Sequence, residues 1–453
     1  MVEEFDAIVI GMGPGGEVAA DRLLSAGKKV AVVERELIGG ECGYWACIPS
    51  KTLLRGPEAV HAAGRAPGAT GAVLDWRAAA EYRDAMVRHL DDSAQSAAYE
   101  ERGATVVKAH ATVTAPGRVD AGGRTLQARN LVIATGTVPE LPALEGLGDI
   151  TVWTNREAYS VQELPGSVVV VGGSAVGVET ATFLAGFGVR TTLVHRGHRL
   201  LSREEQRVSE LAAAQLREAG IDVVLGAAPH RATRRGGLST LELKGSGGPR
   251  EVSGDAVVFA TGRRPRTDGL GLEAAGVVVD DRGAVVVDST CRAAEGVWAV
   301  GDVTGRLPFT HVAKYQGRIV AEAILGRTPT ADYAGIPRVV FSIPEIAAVG
   351  LTAGQARERG FDVEAVELDA AEALARPWTY ERDPETRLGL LADVVRGVLL
   401  GAWAVGPQAG EWIHYAALAI RAELPIGVLR DQVAQFPSYH EAYLAALDLF
   451  ERV

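Results

Sequence analysis

One arrangement occurs twice in this chain and limits its fold more than any other feature. Asp6-Ala7-Ile8-Val9-Ile10 is a short apolar run of the buried-strand type. It is followed by Gly11-Met12-Gly13-Pro14-Gly15-Gly16, a helical stretch reaching Ala26, and a second apolar run, Val30-Ala31-Val32-Val33, ending at Glu34. The same order returns at Ser167-Val168-Val169-Val170-Val171, Gly172-Gly173-Ser174-Ala175-Val176-Gly177, a helix, and Arg190-Thr191-Thr192-Leu193-Val194. In each copy 17 residues separate the last glycine from the residue that ends the second strand, Glu34 in one and His195 in the other. Two unrelated segments would not share that spacing by accident, so two dinucleotide folds are expected.

Other runs fit around these units. Leu131-Val132-Ile133-Ala134-Thr135-Gly136 and Ala256-Val257-Val258-Phe259-Ala260-Thr261-Gly262 are apolar strands ending in Ala-Thr-Gly, one late in each nucleotide segment. Gly296-Val297-Trp298-Ala299-Val300-Gly301-Asp302 is a further strand, ending in a carboxylate, and Gly245-Ser246-Gly247-Gly248 has the composition of a hairpin turn. From about Tyr333 strands and helices alternate without a glycine loop, which marks a third domain. A chain of 453 residues exceeds what one core supports, so two or three domains agree with its length.

The first loop is a full G-x-G-x-x-G. Gly11 permits the tight turn, Gly13 lets backbone approach a pyrophosphate, and Gly16 allows the helix to close on the strand. The helix start beyond Pro14 and Gly15 offers unpaired N–H groups and a positive dipole end to phosphates. Glu34 stands where a carboxylate accepts hydrogen bonds from a ribose diol. In the second loop Ser174 replaces the middle glycine between Gly172 and Val176. His195 occupies the position of Glu34 and is followed by Arg196, His198 and Arg199. A carboxylate there would repel a 2′-phosphate and this cluster would attract one, which favours NADPH over NADH; an ordinary solvated basic loop is the plainer alternative.

The segment Gly39-Gly40-Glu41-Cys42-Gly43-Tyr44-Trp45-Ala46-Cys47-Ile48-Pro49-Ser50-Lys51 carries the chemistry. Residues four or five apart lie about one helical turn from each other, so the two thiols of C-x4-C can meet with modest winding. A thiolate near a helix N-terminus is stabilised, as a reversible dithiol requires. Zinc and inert buried thiols are the competing readings. Zinc is poorly served, since Cys291 is the one further cysteine and no paired histidines accompany it, so no metal site is expected.

Gly-Gly-x-Cys-x4-Cys-x-Pro-Ser-Lys after G-x-G-x-x-G and Glu34 resembles the pyridine nucleotide–disulfide oxidoreductase family, which includes dihydrolipoamide dehydrogenase, glutathione reductase, mycothione reductase and mercuric reductase. The likeness spans nearly the whole chain. It extends through Ala134-Thr135-Gly136, Ala260-Thr261-Gly262-Arg263-Arg264-Pro265, Ala299-Val300-Gly301-Asp302-Val303 and His311-Val312-Ala313, to Phe341-Ser342-Ile343-Pro344-Glu345-Ile346-Ala347-Ala348-Val349-Gly350-Leu351-Thr352.

The resemblance implies an α/β fold of two Rossmann-like dinucleotide-binding domains plus an α+β C-terminal dimerisation domain. Residues 1–150 with 275–332 would bind FAD, 151–274 NADPH or NADH, and 333–453 would form a homodimer interface bearing the active site. Cys47 would be the charge-transfer thiolate and Cys42 the interchange thiol. Lys51 and Glu179 would pair beside the flavin, with separate surface charges as the alternative. Asp302 would meet the ribityl chain or pyrophosphate, unless it only caps its strand. Cofactor contacts are also expected from Arg35, Gly40, Glu41, His110, Ala111, Arg263, Gly301, His311, Val312 and Ala313.

Near the C-terminus the family pattern His-Pro-x-x-x-Glu, whose histidine serves the interchange thiol as acid–base partner, becomes Phe436-Pro437-Ser438-Tyr439-His440-Glu441. Phenylalanine cannot accept a proton. His440 and Tyr439 are the titratable neighbours. Ser438 and Glu441 have the spacing of a capping box opening the last helix, which gives Glu441 a structural explanation beside the catalytic one. Tyr44 and Trp45 depart as well, standing where the family has smaller residues.

Two activities therefore remain open. One is NADPH-dependent reduction of a small disulfide, and the other sends electrons to a quinone or another small acceptor. A flavin-bound scaffold without turnover is a third reading, which the preserved loops and thiols disfavour. No cysteine follows Cys291, which argues against relays through a second dithiol and so against mercuric-reductase and large thioredoxin-reductase types. A net charge of −11 disfavours a nucleic-acid partner. The acidic start, the absence of an apolar run near the roughly 18 residues of a membrane span, and the low cysteine count make a cytoplasmic protein the expectation.

Overall fold

The computed structural model describes residues 2–245 and 247–453. The chain separates into two units. The first comprises residues up to Pro49, Glu81–Glu140 and Gly262–Asp332; the second comprises Ser50–Ala80, Leu141–Thr261 and Tyr333–Val453.

In the first unit the strand Val2–Ile10 lies between Val30–Val33 and Arg124–Ile133, parallel to both. Thr105–Val107 extends the sheet beyond Val30–Val33, and Val297–Ala299 extends it beyond Arg124–Ile133. Ala7, Ile8 and Val9 have no exposed surface, as a strand covered on both faces requires. Ile8 and Val9, removed from water, contribute about 1.5–3 kcal/mol each. The helices Pro14–Ser25 and Thr310–Ile324 cover one face. An antiparallel flap, Ala111–Ala115 and Arg118–Ala121, continues from the long strand Arg124–Ile133.

The second unit repeats this plan. Ser167–Val171 lies between Arg190–His195 and Ala256–Phe259 in parallel, with Asp222–Leu225 and Val152–Trp153 at the two edges. Its antiparallel flap comprises Ala227–Arg235, Leu238–Gly245 and Arg250–Gly254. Ser246, inside the expected hairpin turn, lies outside the described residues, but the strands on either side of it pair antiparallel. Residues from Pro337 onward form a five-stranded antiparallel sheet in the order 337–340, 345–350, 398–406, 387–393, 363–369, packed against helices His414–Arg421 and Glu441–Leu447. Two Rossmann-like folds and an α+β C-terminal region are thus the architecture of the chain.

Candidate active site

A cleft of about 1040 Å³, measured to its open mouth, runs along the C-terminal ends of the parallel strands of the first unit. Gly11, Gly13, Pro14 and Gly15 form its floor, at the start of the helix Pro14–Ser25. A Cβ on Gly16 would stand 2.0 Å from the Gly11 carbonyl oxygen, so only glycine lets this helix close on the loop. A Cβ on Gly13 would meet nothing within 4 Å. That empty approach, above a helix start with no side-chain cap, is what a pyrophosphate needs.

The surrounding donors suit a dinucleotide. Glu34 and Arg35 end the second strand in the cleft wall, and His110, Ala111, Ala134, Thr135, Gly136, Gly301, Asp302 and Ala313 line the rest. The Glu34 carboxylate already accepts the N–H groups of Met12 and Glu36, both at 2.7 Å, so it shapes the loop and keeps only its remaining lone pairs for a ribose. Burial pushes the Asp302 carboxyl up, opposed by the Arg263 guanidinium and the Thr137 hydroxyl, which lies 3.2 Å from it. Arg263 lies outside the cleft wall and pairs with Glu41 at 3.3 Å. His311 and Val312 are also outside it: His311 is exposed and stacked on Phe309, and Val312 is buried in the helix's packed face. The residues present therefore fit an FAD-sized cofactor.

The two thiols do not share a continuous helix, contrary to the expectation of a single winding. A short helix, Gly40–Tyr44, carries Cys42 and ends at Trp45, and a new helix, Cys47–Arg65, opens on Cys47. Gly40 is confined by the glycine loop, since a Cβ on it would lie 2.7 Å from the Gly13 Cα. Cys42 is in the cleft wall and Cys47 is not. The Thr310 hydroxyl lies 3.2 Å from each sulfur. The hydrogen bond to Cys47 and burial push the Cys42 thiol up, while Thr310 and Lys314 pull the other way. Tyr44 fills core under Gly39 and donates to the Ile38 carbonyl at 3.1 Å, so this bulky residue serves packing.

In the second unit Lys51, four residues along the helix from Cys47, lies 2.7 Å from the Glu179 carboxylate. The other Glu179 oxygen accepts the Phe341 N–H at 3.0 Å, and the Lys51 ammonium sits over the Phe341 ring. The second glycine loop copies the first: a Cβ on Gly177 would lie 1.9 Å from the Gly172 carbonyl oxygen. Ser174 precedes the helix Ala175–Gly186 without capping it, and Val176 is 40% exposed. His195 Nδ1 accepts the Gly173 N–H at 3.1 Å, the counterpart of the bond from Met12 to Glu34. Burial and the neighbouring Arg196 lower the His195 pKa. Arg196 is exposed, whereas Arg199 turns to the carbonyls of Ser202 and Glu204 and so leaves the expected basic cluster.

Near the C-terminus the expected capping box is half made. Glu441 accepts the Ser438 N–H at 2.9 Å, but the helix begins at Glu441 itself and the buried Ser438 hydroxyl makes no return bond. Tyr439 is buried, stacked on Trp412, and pushed up to about 12 by its burial, which removes it as an acid–base group near neutrality. His440 is half-buried and Phe436 is 75% exposed. Sequence reasoning missed Thr310, Thr137 and Lys314; no local spacing signals any of them.

Two nucleotide folds, a dinucleotide cleft and a pair of thiols, one of them in its wall, define a flavin-linked oxidoreductase. The chain belongs to the pyridine nucleotide-disulphide oxidoreductase family, whose profile matches residues 5–317, with the family's dimerisation domain over residues 336–447. It is 32% identical to a dihydrolipoyl dehydrogenase of Geobacillus stearothermophilus over 98% of this chain and 96% of that one. It is 38% identical to a mercuric reductase of Streptomyces lividans over 95% and 92% respectively. Among solved structures, the HOCl-induced flavoprotein disulfide reductase RclA from Escherichia coli, as its Cu(II) complex, superposes with a TM-score of 0.87 at 28% identity, covering 98% of this chain and 99% of that one. The family is FAD-dependent and uses pyridine nucleotides.

Proposed function

We propose that this chain is an FAD-containing, NADPH-dependent reductase that passes electrons through Cys42 and Cys47 to a small disulfide. One observation carries the reading: a single hydroxyl within 3.2 Å of both sulfurs holds the pair together beside the dinucleotide cleft. A flavin held there would take a hydride from the nicotinamide and deliver two electrons to the couple. The Cys42 thiolate would then attack one substrate sulfur and release the first thiolate. Cys47 would attack the Cys42 sulfur, freeing the second thiolate and restoring the intramolecular disulfide. Lys51 and Glu179 keep the role the family resemblance implies, and His440 or solvent would supply protons in place of Phe436. FAD binding is assigned to residues 1–150 with 275–332, nicotinamide binding to 151–274, and a homodimer interface to 333–453. A cytoplasmic setting agrees with the absence, among the described residues, of any helix long and apolar enough to cross a membrane.

Anaerobic two-electron reduction of the holoenzyme should give a long-wavelength charge-transfer band that Cys47→Ser loses and Cys42→Ser keeps. Turnover unimpaired by Cys42→Ser would end the disulfide reading. The second reading, transfer to a quinone or another non-disulfide acceptor, draws on Phe436, because lost acid–base help costs thiol exchange about 10²–10⁴-fold. The relatives named mercuric reductase and the Cu(II) complex of RclA add metal ions to the acceptors worth testing. Screening disulfides, quinones, Hg(II) and Cu(II) for NADPH oxidation separates the two.

A further inference from the structure

The missing proton acceptor leaves the interchange thiol in need of another source of stabilisation. Thr310 is the first residue of the helix Thr310–Ile324, and its hydroxyl lies 3.2 Å from Cys42 Sγ. Lys314 follows one turn later. Residues i and i+4 share a helix face with Cβ atoms about 5–6 Å apart, and helical side chains lean toward the N-terminus. The exposed Lys314 stem is therefore directed back along the face that meets the sulfurs. The same helix start, with no side-chain cap, adds its positive dipole end.

We propose that Lys314 is an electrostatic positioning residue for the Cys42 thiolate, standing in for the acid–base group that Phe436 cannot provide. This inference rests on the disulfide-exchange reading above. The Cys42 proton goes to His440 or solvent; the ammonium keeps its own protons and lowers the energy of the anion that attacks the substrate sulfur. The departing substrate thiolate is protonated from the same source, so Lys314 neither gains nor loses a proton in the cycle. The field at Cys42 has opposing contributions: the Cys47 sulfur and burial disfavour the thiolate, and Thr310 and Lys314 favour it. On its other side Lys314 acts on Glu17 from the helix Pro14–Ser25, which Arg88 and Asp21 also influence, so part of the ammonium's field is shared with that carboxyl.

The test reads the thiol without any substrate. In the Cys47→Ser holoenzyme only Cys42 is open to iodoacetamide, because Cys291 is fully buried. Alkylation rates across the thiol titration range should fall about threefold near neutrality in Lys314→Met, with the midpoint about half a unit higher, since the thiolate is the reactive form. Lys314→Arg should restore the parent profile, and added salt should narrow the gap between parent and Lys314→Met. Flavin content measured on each variant shows that the fold is kept. Superimposable profiles for parent and Lys314→Met would overturn the proposal, as would failure of arginine to restore what methionine loses. Because no disulfide is present, this result is independent of whether Cys42→Ser abolishes turnover, the outcome on which the disulfide reading depends.

Discussion

His195 and Glu34 occupy the same place in the two nucleotide folds and do the same backbone work, each accepting the N–H of the loop's second residue. The histidine must offer Nδ1 as an acceptor to do so, and burial with Arg196 lowers its pKa. A ring so held carries little charge to a 2′-phosphate near neutrality, so that task falls on Arg196. Arg196→Glu should lower kcat/KM for NADPH at least ~10-fold, one charge-assisted bond's worth, while leaving NADH turnover nearly unchanged. A parent enzyme preferring NADH would end the NADPH assignment. With Tyr439 out of range, His440 is the one left of the two candidates to replace the missing histidine. His440→Ala is expected to slow disulfide turnover at least ~10-fold, and an unchanged pH–rate profile would remove it from the mechanism. Glu17 supplies a stability test. Its pKa is pushed up from 4.5 to about 7, chiefly by burial. The folded protein therefore holds a proton that the unfolded chain has released, and stability falls as pH rises through that window. Glu17→Gln should raise Tm relative to the parent more at about pH 8 than at about pH 5, as calorimetry would show.

At the scale of elements, the break at Trp45 matters most. A C-x4-C spacing reads as one helical turn, but the chain spends it on two helices, and the second starts at Cys47. The sulfurs meet because both helices pack near Thr310, and their meeting does not come from a common helical face. The glycine loops show the opposite case, where local spacing and final geometry agree: Gly16 and Gly177 each sit about a bond length too close to a carbonyl for any side chain. Gly177→Ala forces a Cβ to 1.9 Å from the Gly172 oxygen. Overpacking of that kind costs about 1–3 kcal/mol. The variant should unfold at lower denaturant and show a raised KM for the nicotinamide nucleotide with FAD content retained; unaltered nicotinamide KM would contradict the assignment of this loop. The C-terminal capping motif shows a third case, in which Ser438 and Glu441 have the right spacing but the helix starts two residues late and only one bond forms.

At the scale of the molecule, the C-terminal region leaves Val433 93% and Phe436 75% exposed on one short segment. Large apolar side chains grouped at a surface mark a contact face, and this region matches the family's dimerisation domain. The double variant Val433→Asp, Phe436→Asp should weaken self-association at least ~10-fold, given about 1.5–3 kcal/mol per buried apolar side chain. Analytical ultracentrifugation checks this, and an unchanged association constant would place the interface elsewhere.

By itself the sequence determined the two Rossmann-like folds, the glycine loops and the C-x4-C spacing of Cys42 and Cys47. Those features are written in residue types and spacings of a few positions, the range over which backbone geometry follows directly from the chain. The Lys51–Glu179 pair, 128 residues apart, came from family resemblance, because nothing local joins the two residues. Only the tertiary structure decided that Thr310 meets both sulfurs, from 263 and 268 residues away, with Lys314 one turn behind it. Such neighbours are set by how helices stack on a shared sheet, and the sum of many weak packing contacts that fixes that stacking leaves no periodic trace in the sequence.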